Sequence, residues 1–75
     1  MAVYVVRHAI ALGRSDWSGD DAKRPLTKRG ERQAAGLVDL LAGADIRRIR
    51  SSPAVRCVDT VQPLGRRLGL SLIHI

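Results

Sequence analysis

Aromatic residues are almost absent from this sequence. Tyr4 and Trp17 are the only two among 75 residues, and there is no phenylalanine. A domain of this composition has to build its core from aliphatic side chains, and it offers few rings on which nucleic-acid bases could stack. The chain also has a single cysteine, Cys57, so an internal disulfide is excluded. That cysteine count favours a reducing compartment.

Long hydrophobic stretches are absent as well. The apolar run at residues 1–6 has no basic segment before it and ends at Arg7, far short of the roughly 20 residues that cross a membrane. We therefore predict a cytoplasmic protein. The formal net charge of +6 indicates an anionic partner, which could be a nucleic acid, a membrane surface or a phosphorylated substrate. Charge alone does not choose among these.

Three short segments are predicted to be strands. The first is the run of β-formers at residues 3–6, and the others lie within residues 44–50 and 70–73. With helices between them, the order is strand, loop, helix, strand, helix, strand, which requires parallel pairing. The predicted fold is therefore an α/β fold with three α/β/α layers and a mostly parallel sheet, of which this chain supplies the first βαβαβ portion.

The two predicted helices are marked by residues that typically begin and end helices. Thr27 is a suitable N-cap for the first helix, and Gly43 lies where that helix should end. Ser52 is predicted to cap the second helix, whose first residue is the following proline. Pro63 should kink or restart this helix, and Gly69 should end it.

Polar side chains follow the first two predicted strands. Arg7 and His8 come after the first strand and Ser52 after the second, while Arg56 lies in the first turn of the next helix. Because parallel strands end at the same edge of a sheet, these groups should meet there, beside the free N–H groups of a helix N-terminus. Guanidinium groups and helix N-termini suit phosphoryl oxygens, and an imidazole can attack phosphorus. The plainer interpretation is a polar pair at a strand end and a surface arginine.

Three blocks of the sequence carry a resemblance to a known family. The blocks are VRHA at residues 6–9, LTKRGERQA at residues 26–34 and SSPAVRCVDT at residues 51–60. In this order and spacing they resemble the histidine phosphatase superfamily, also called phosphoglycerate mutase-like. The details are most similar to the phosphohistidine phosphatase branch and to the phosphatase domain that follows a Nudix domain in some bacterial proteins.

The resemblance implies a phosphatase that acts through a phosphohistidine intermediate on His8. It also implies that Arg7 and Arg56 bind the phosphate, and we expect neither a metal nor another cofactor. The second block is mostly structural in the family. Gly30 is therefore interpreted as a residue that allows close helix packing.

Part of the family's site has no counterpart in these blocks. The second catalytic histidine, in a Gly-His context, and the acidic proton donor lie beyond the third strand in the family, and His74 has no preceding glycine. We therefore interpret residues 1–75 as a truncated amino-terminal part of a phosphatase domain that is inactive by itself. Asp16, Asp20 and Asp21 lie in the loop after His8 and could approach the site, but their carboxylates are expected to be solvated loop charges.

The expected partner is a phosphorylated small molecule, a nucleotide or a phosphoprotein, with no membrane partner. One alternative is a fragment that binds phosphate without turning it over. Another is a basic nucleic-acid-binding module, which the lack of aromatic residues and of a recognised motif disfavours. The cations available to such a module are Lys23, Arg24, Lys28, Arg29, Arg32, Arg47, Arg48, Arg50, Arg66 and Arg67.

Overall fold

The computed structural model of this chain describes residues 4–74 and contains two helices beside a short parallel sheet. The elements, in chain order, are the 3₁₀ turns Arg14–Asp16 and Asp21–Lys23, helix α1 (Lys28–Leu41), strand β1 (Ile49–Ser51), helix α2 (Val55–Leu68) and strand β2 (Leu72–His74). The two strands pair in parallel, with Ile49 opposite Leu72. Helix α2 packs against α1 and against both strands. The predicted α/β class is confirmed, and β1, α2 and β2 form a βαβ unit.

Helix α1 begins and ends where the sequence predicts. The backbone of Thr27 is extended, and its hydroxyl oxygen accepts a hydrogen bond from the N–H of Gly30 at 3.0 Å, which is the geometry of an N-cap. The last helical residue is Leu41, and Ala42 caps the helix, so Gly43 is the first residue beyond the cap. Gly43 does not have the positive φ that often accompanies this position.

Helix α2 begins later than predicted. Its cap position is Ala54 and its first residue is Val55, so the prediction that Ser52 caps the helix is wrong. The backbone of Ala54 is extended, with ψ at 137°, and the helical hydrogen bonds therefore start only after it. The Ser52 hydroxyl accepts a hydrogen bond from the Ala54 N–H at 3.3 Å, which closes a short turn before the helix.

The remainder of α2 is continuous. The predicted restart at Pro63 is wrong, because residues 55–68 form one helix with the proline inside it. Pro63 removes one N–H donor from the backbone hydrogen bonds of the helix. The rest of α2 is stabilised by its packing against α1 and both strands. Gly69 ends the helix as predicted, with a left-handed φ of 69° and its N–H directed to the carbonyl of Arg66.

The segment before the first loop is the main departure from the predicted topology. Residues 4–10 form no strand, so the described part of the chain has a two-stranded sheet; Val3, also predicted to be in this strand, lies outside the described residues. Among residues 4–74, no strand pairs with this segment. Instead, the N–H of Ala9 donates to the Thr60 hydroxyl oxygen at 2.9 Å, and the N–H of Ile10 donates to the side chain of Gln33 at 3.0 Å. Side chains from the two helices therefore hold the backbone that follows His8.

The buried core is small and aliphatic, as the lack of aromatic residues predicts. Ala9, Leu26 and Ala34 form one buried cluster, which joins the segment after His8 to α1. Leu64 of α2 and Ile49 of β1 are also buried. Within residues 4–74, no helix is long and apolar enough to span a membrane.

Candidate phosphate-binding site

His8 is half-buried, at the end of the segment that packs onto the two helices. Its Nδ1 lies 2.8 Å from the carbonyl oxygen of Ala9. Because a carbonyl oxygen only accepts hydrogen bonds, this contact favours the tautomer in which Nδ1 carries the hydrogen. In the neutral ring the lone pair is then on Nε2, where it is available to attack an electrophile.

A groove runs beside His8 and Arg7. It is also lined by Leu37 and Leu40 of α1 and by Thr60 of α2. Arg7 is exposed and no described residue pairs with it. The structure therefore brings Arg7 and His8 together at one opening on the surface.

Thr60 connects this groove to the start of α2. Its side chain is almost fully buried, and its hydroxyl donates to the carbonyl oxygen of Arg56 at 2.6 Å while accepting from the N–H of Ala9 at 2.9 Å. The Thr60 hydroxyl therefore connects the backbone of Ala9, the residue after His8, to the backbone of Arg56. Thr60 lies three residues after Cys57 and four before Leu64, on the same face of α2 as these apolar residues. A polar residue in this apolar stripe is the sequence feature from which its connecting role could have been predicted.

Arg56 lies in the first turn of α2, as predicted, and its side chain is bound by the loop that precedes α1. Its Nη1 donates to the carbonyl oxygen of Asp21 at 2.9 Å, and its Nη2 lies 3.2 Å from Oδ2 of the same residue. The other carboxylate oxygen of Asp21 accepts from Nε of Arg24 at 3.1 Å. Arg24 is buried and also donates to the carbonyl oxygen of Leu12. The Asp21 side chain is 56% exposed, as expected of a solvated loop charge, but it is also ion-paired with two arginines, which the sequence did not predict.

The charges around Asp21 also affect its protonation. Partial desolvation raises the pKa of this carboxyl, but the hydrogen bond from Arg24 and the positive charges of Arg56, Arg24 and Arg14 outweigh that effect. The pKa of Asp21 therefore lies below its ordinary value of 3.8. The carboxylate remains charged at neutral pH and joins the two arginines.

The predicted site residues are only partly brought together. Arg7 and His8 share one groove, and Arg56 is linked to that groove through Thr60. Ser52 is exposed on the turn before α2. Within residues 4–74, neither arginine is hydrogen-bonded to His8.

Comparison with known proteins places this arrangement in a family. The model of the histidine phosphatase superfamily, branch 1, matches residues 3–75, and the chain belongs to that superfamily. A curated relative, the 8-oxo-(d)GTP phosphatase of Mycolicibacterium smegmatis, is 46% identical over 72 residues, which are 96% of this chain and 22% of that protein.

Solved structures give the same result for the fold. The SixA protein of Agrobacterium tumefaciens is 32% identical with a TM-score of 0.74, over 93% of this chain and 47% of that one. A protein histidine phosphatase SixA in complex with tungstate is 28% identical with the same TM-score, over 91% of this chain and 44% of that one. The chain thus has the fold of the amino-terminal portion of these proteins and spans less than half of the length of each.

Proposed function

We propose that residues 1–75 are the amino-terminal part of a histidine phosphatase domain, and that the complete domain removes phosphoryl groups through a phosphohistidine intermediate on His8. The observation that carries this proposal is the half-buried imidazole, with Nδ1 at the Ala9 carbonyl oxygen and Nε2 free, in a chain of this family. Arg7 and Arg56 bind the phosphate oxygens, and Ser52 adds a hydroxyl near the start of α2.

The reaction has two steps. The Nε2 lone pair of His8 forms a bond to phosphorus while the bond from phosphorus to the leaving atom breaks. That atom, an oxygen in a phosphate ester and a nitrogen in phosphohistidine or phosphoramidate, takes up a proton. Water then cleaves the phosphorus–nitrogen bond and releases inorganic phosphate. The guanidinium groups stabilise the charge on the equatorial oxygens in both steps. We expect the acid that protonates the leaving atom, and a second histidine, to lie outside residues 1–75.

The substrate class is a phosphorylated small molecule, a nucleotide or a phosphoprotein. The name of the curated relative favours a nucleotide, and the name of the SixA structure favours a phosphoprotein. The bound tungstate in that structure supports an oxyanion site, since tungstate has the tetrahedral shape of phosphate. A cytoplasmic location and the absence of nucleic-acid and membrane partners stay predictions.

Covalent labelling tests the role of His8. The protein that contains this segment at full length is treated with ³²P-labelled phosphoramidate, quenched and digested, and acid-labile label is assigned by mass spectrometry. We expect label on His8, complete loss of that label in His8→Ala, and full retention in His74→Ala, which replaces the only other histidine of these 75 residues. Undiminished labelling in His8→Ala would overturn the assignment.

A second candidate function is phosphate binding without turnover, and the partial coverage of the relatives favours it for the 75-residue chain itself. The two candidates differ in whether product is released. The 75-residue chain should bind tungstate without hydrolysing a phosphomonoester, whereas the longer protein should do both. Hydrolysis by the short chain would reject this second candidate.

A further inference from the structure

Asp21 joins two parts of the chain that are far apart in sequence. It lies 35 residues before Arg56, and it contacts that side chain through both its backbone carbonyl and its carboxylate. Its remaining carboxylate oxygen is held by Arg24, which is itself buried and bound to the carbonyl of Leu12. The loop before α1 therefore holds the Arg56 guanidinium from one side with an anchored anion.

This contact leaves most of the guanidinium free to bind a ligand. An arginine carries five N–H donors, and Asp21 takes a hydrogen bond from one of them, on Nη1 of Arg56, while Nη2 forms an ion pair with Oδ2 at 3.2 Å. The other four donors make no hydrogen bond with residues 4–74. The side chain is also mostly shielded from solvent, with 18% of its surface exposed. A long side chain that is already held in one orientation loses less conformational freedom when it binds an anion.

We propose that Asp21 is a positioning residue that orients Arg56 toward the phosphoryl group. This inference rests on the proposed phosphate-binding role of Arg56. Asp21 does not contact the substrate; it acts through the arginine.

The direction in which Asp21→Asn changes oxyanion affinity distinguishes the positioning role from two alternatives, in which Asp21 repels the anion or competes with it for Arg56. A carboxylate near an anion site repels the anion, and a carboxylate that occupies the arginine competes with it. In both of those cases, Asp21→Asn should strengthen the binding of an oxyanion. If Asp21 orients Arg56, the same substitution should weaken binding even though it removes a negative charge.

The experiment compares three forms of the 75-residue chain: the unaltered chain, Asp21→Asn and Asp20→Asn. Asp20 is the adjacent acid, so its variant removes the same charge from the same loop. Among the described residues, its side chain accepts only from the N–H of Ala22, an acceptor role that asparagine keeps. Tungstate and inorganic phosphate are titrated by calorimetry, and the Nη–H signal of Arg56, on the nitrogens that contact Asp21, is followed by NMR. Circular dichroism checks the fold of each variant.

We expect Asp21→Asn to bind both oxyanions about tenfold more weakly, on the order of the cost of ordering one long side chain. The Arg56 signal should lose its protection from solvent exchange in this variant, and Asp20→Asn should change neither property. If Asp21→Asn does not fold, Asp21→Glu, which keeps the charge but displaces the carboxylate, should show the same weakening.

Two results would count against this inference in distinguishable ways. If the unaltered chain binds oxyanions and Asp21→Asn binds them equally well or more tightly, the positioning role is overturned and the proposed phosphate site stands. If the unaltered chain binds neither oxyanion, phosphate binding by the 75-residue chain is overturned, and with it the role of Asp21 in that binding.

Discussion

The close approach of Gly30 to the segment after His8 gives the sharpest test of this architecture. A Cβ placed on Gly30 would overlap the carbonyl oxygen of Ile10, and it would lie within 3.1 Å of the Ile10 nitrogen. The interpretation of Gly30 as a residue that allows close helix packing is thereby confirmed. Gly30→Ala must push the Ile10 backbone away from α1.

The displacement has a cost that can be estimated from the contacts of Ile10. Its carbonyl accepts from the N–H of Thr27 at 2.9 Å and from the Thr27 hydroxyl at 3.2 Å, and its N–H donates to Gln33 at 3.0 Å. Losing three hydrogen bonds of about 1 kcal/mol each removes about 3 kcal/mol. The better helix propensity of alanine returns about 1 kcal/mol, which leaves a net loss of about 2 kcal/mol. A chain of 75 residues has a total stability of about 4–11 kcal/mol, so this loss is large.

Gly36 provides the matched control, because it also lies inside α1 but has no atom within 4 Å of an added Cβ. Gly36→Ala should therefore stabilise the chain by about 1 kcal/mol. Urea denaturation followed by circular dichroism measures both free energies of unfolding. If Gly30→Ala is as stable as Gly36→Ala, the close approach of Ile10 to α1 is wrong.

Two further predictions concern the groups that connect the candidate site. Thr60→Val keeps the shape of the side chain but leaves the N–H of Ala9 without its acceptor. It should therefore lower the free energy of unfolding by about 1–3 kcal/mol and speed hydrogen exchange at the Ala9 amide. Unchanged exchange at Ala9 would contradict the contact with Thr60. The lowered pKa of Asp21 means that its charged form stabilises the fold: this contribution is complete above the ordinary value of 3.8 and is lost as the pH falls through the lower value of the folded state. The difference in unfolding free energy between the unaltered chain and Asp21→Asn should thus be constant at neutral pH and shrink in acid, and a difference that persists throughout the acid range would refute the assigned pKa shift.

Features that depend on neighbouring residues could be predicted from the sequence. The cap at Thr27 and the helix end at Gly69 are each determined by a few adjacent residues, and both are confirmed. The strand expected at residues 3–6 is different, because strand geometry requires a partner strand, and none lies beside this segment in the described chain. The contact between Asp21 and Arg56 joins residues 35 apart, so no local pattern distinguishes Asp21 from the other loop acids.

The exposed residues before His8 support the proposal that this chain is part of a larger domain. Val5 is 94% exposed and Tyr4 is 51% exposed, although their composition is that of a buried strand. Burying a side chain such as Val5 is worth about 1.5–3 kcal/mol, so a domain gains considerably by placing a further strand against this segment. The backbone that carries His8 is fixed after the histidine, at Ala9 and Ile10. A strand from the remainder of a longer domain would fix it before the histidine as well, and would thereby hold the proposed nucleophile from both sides.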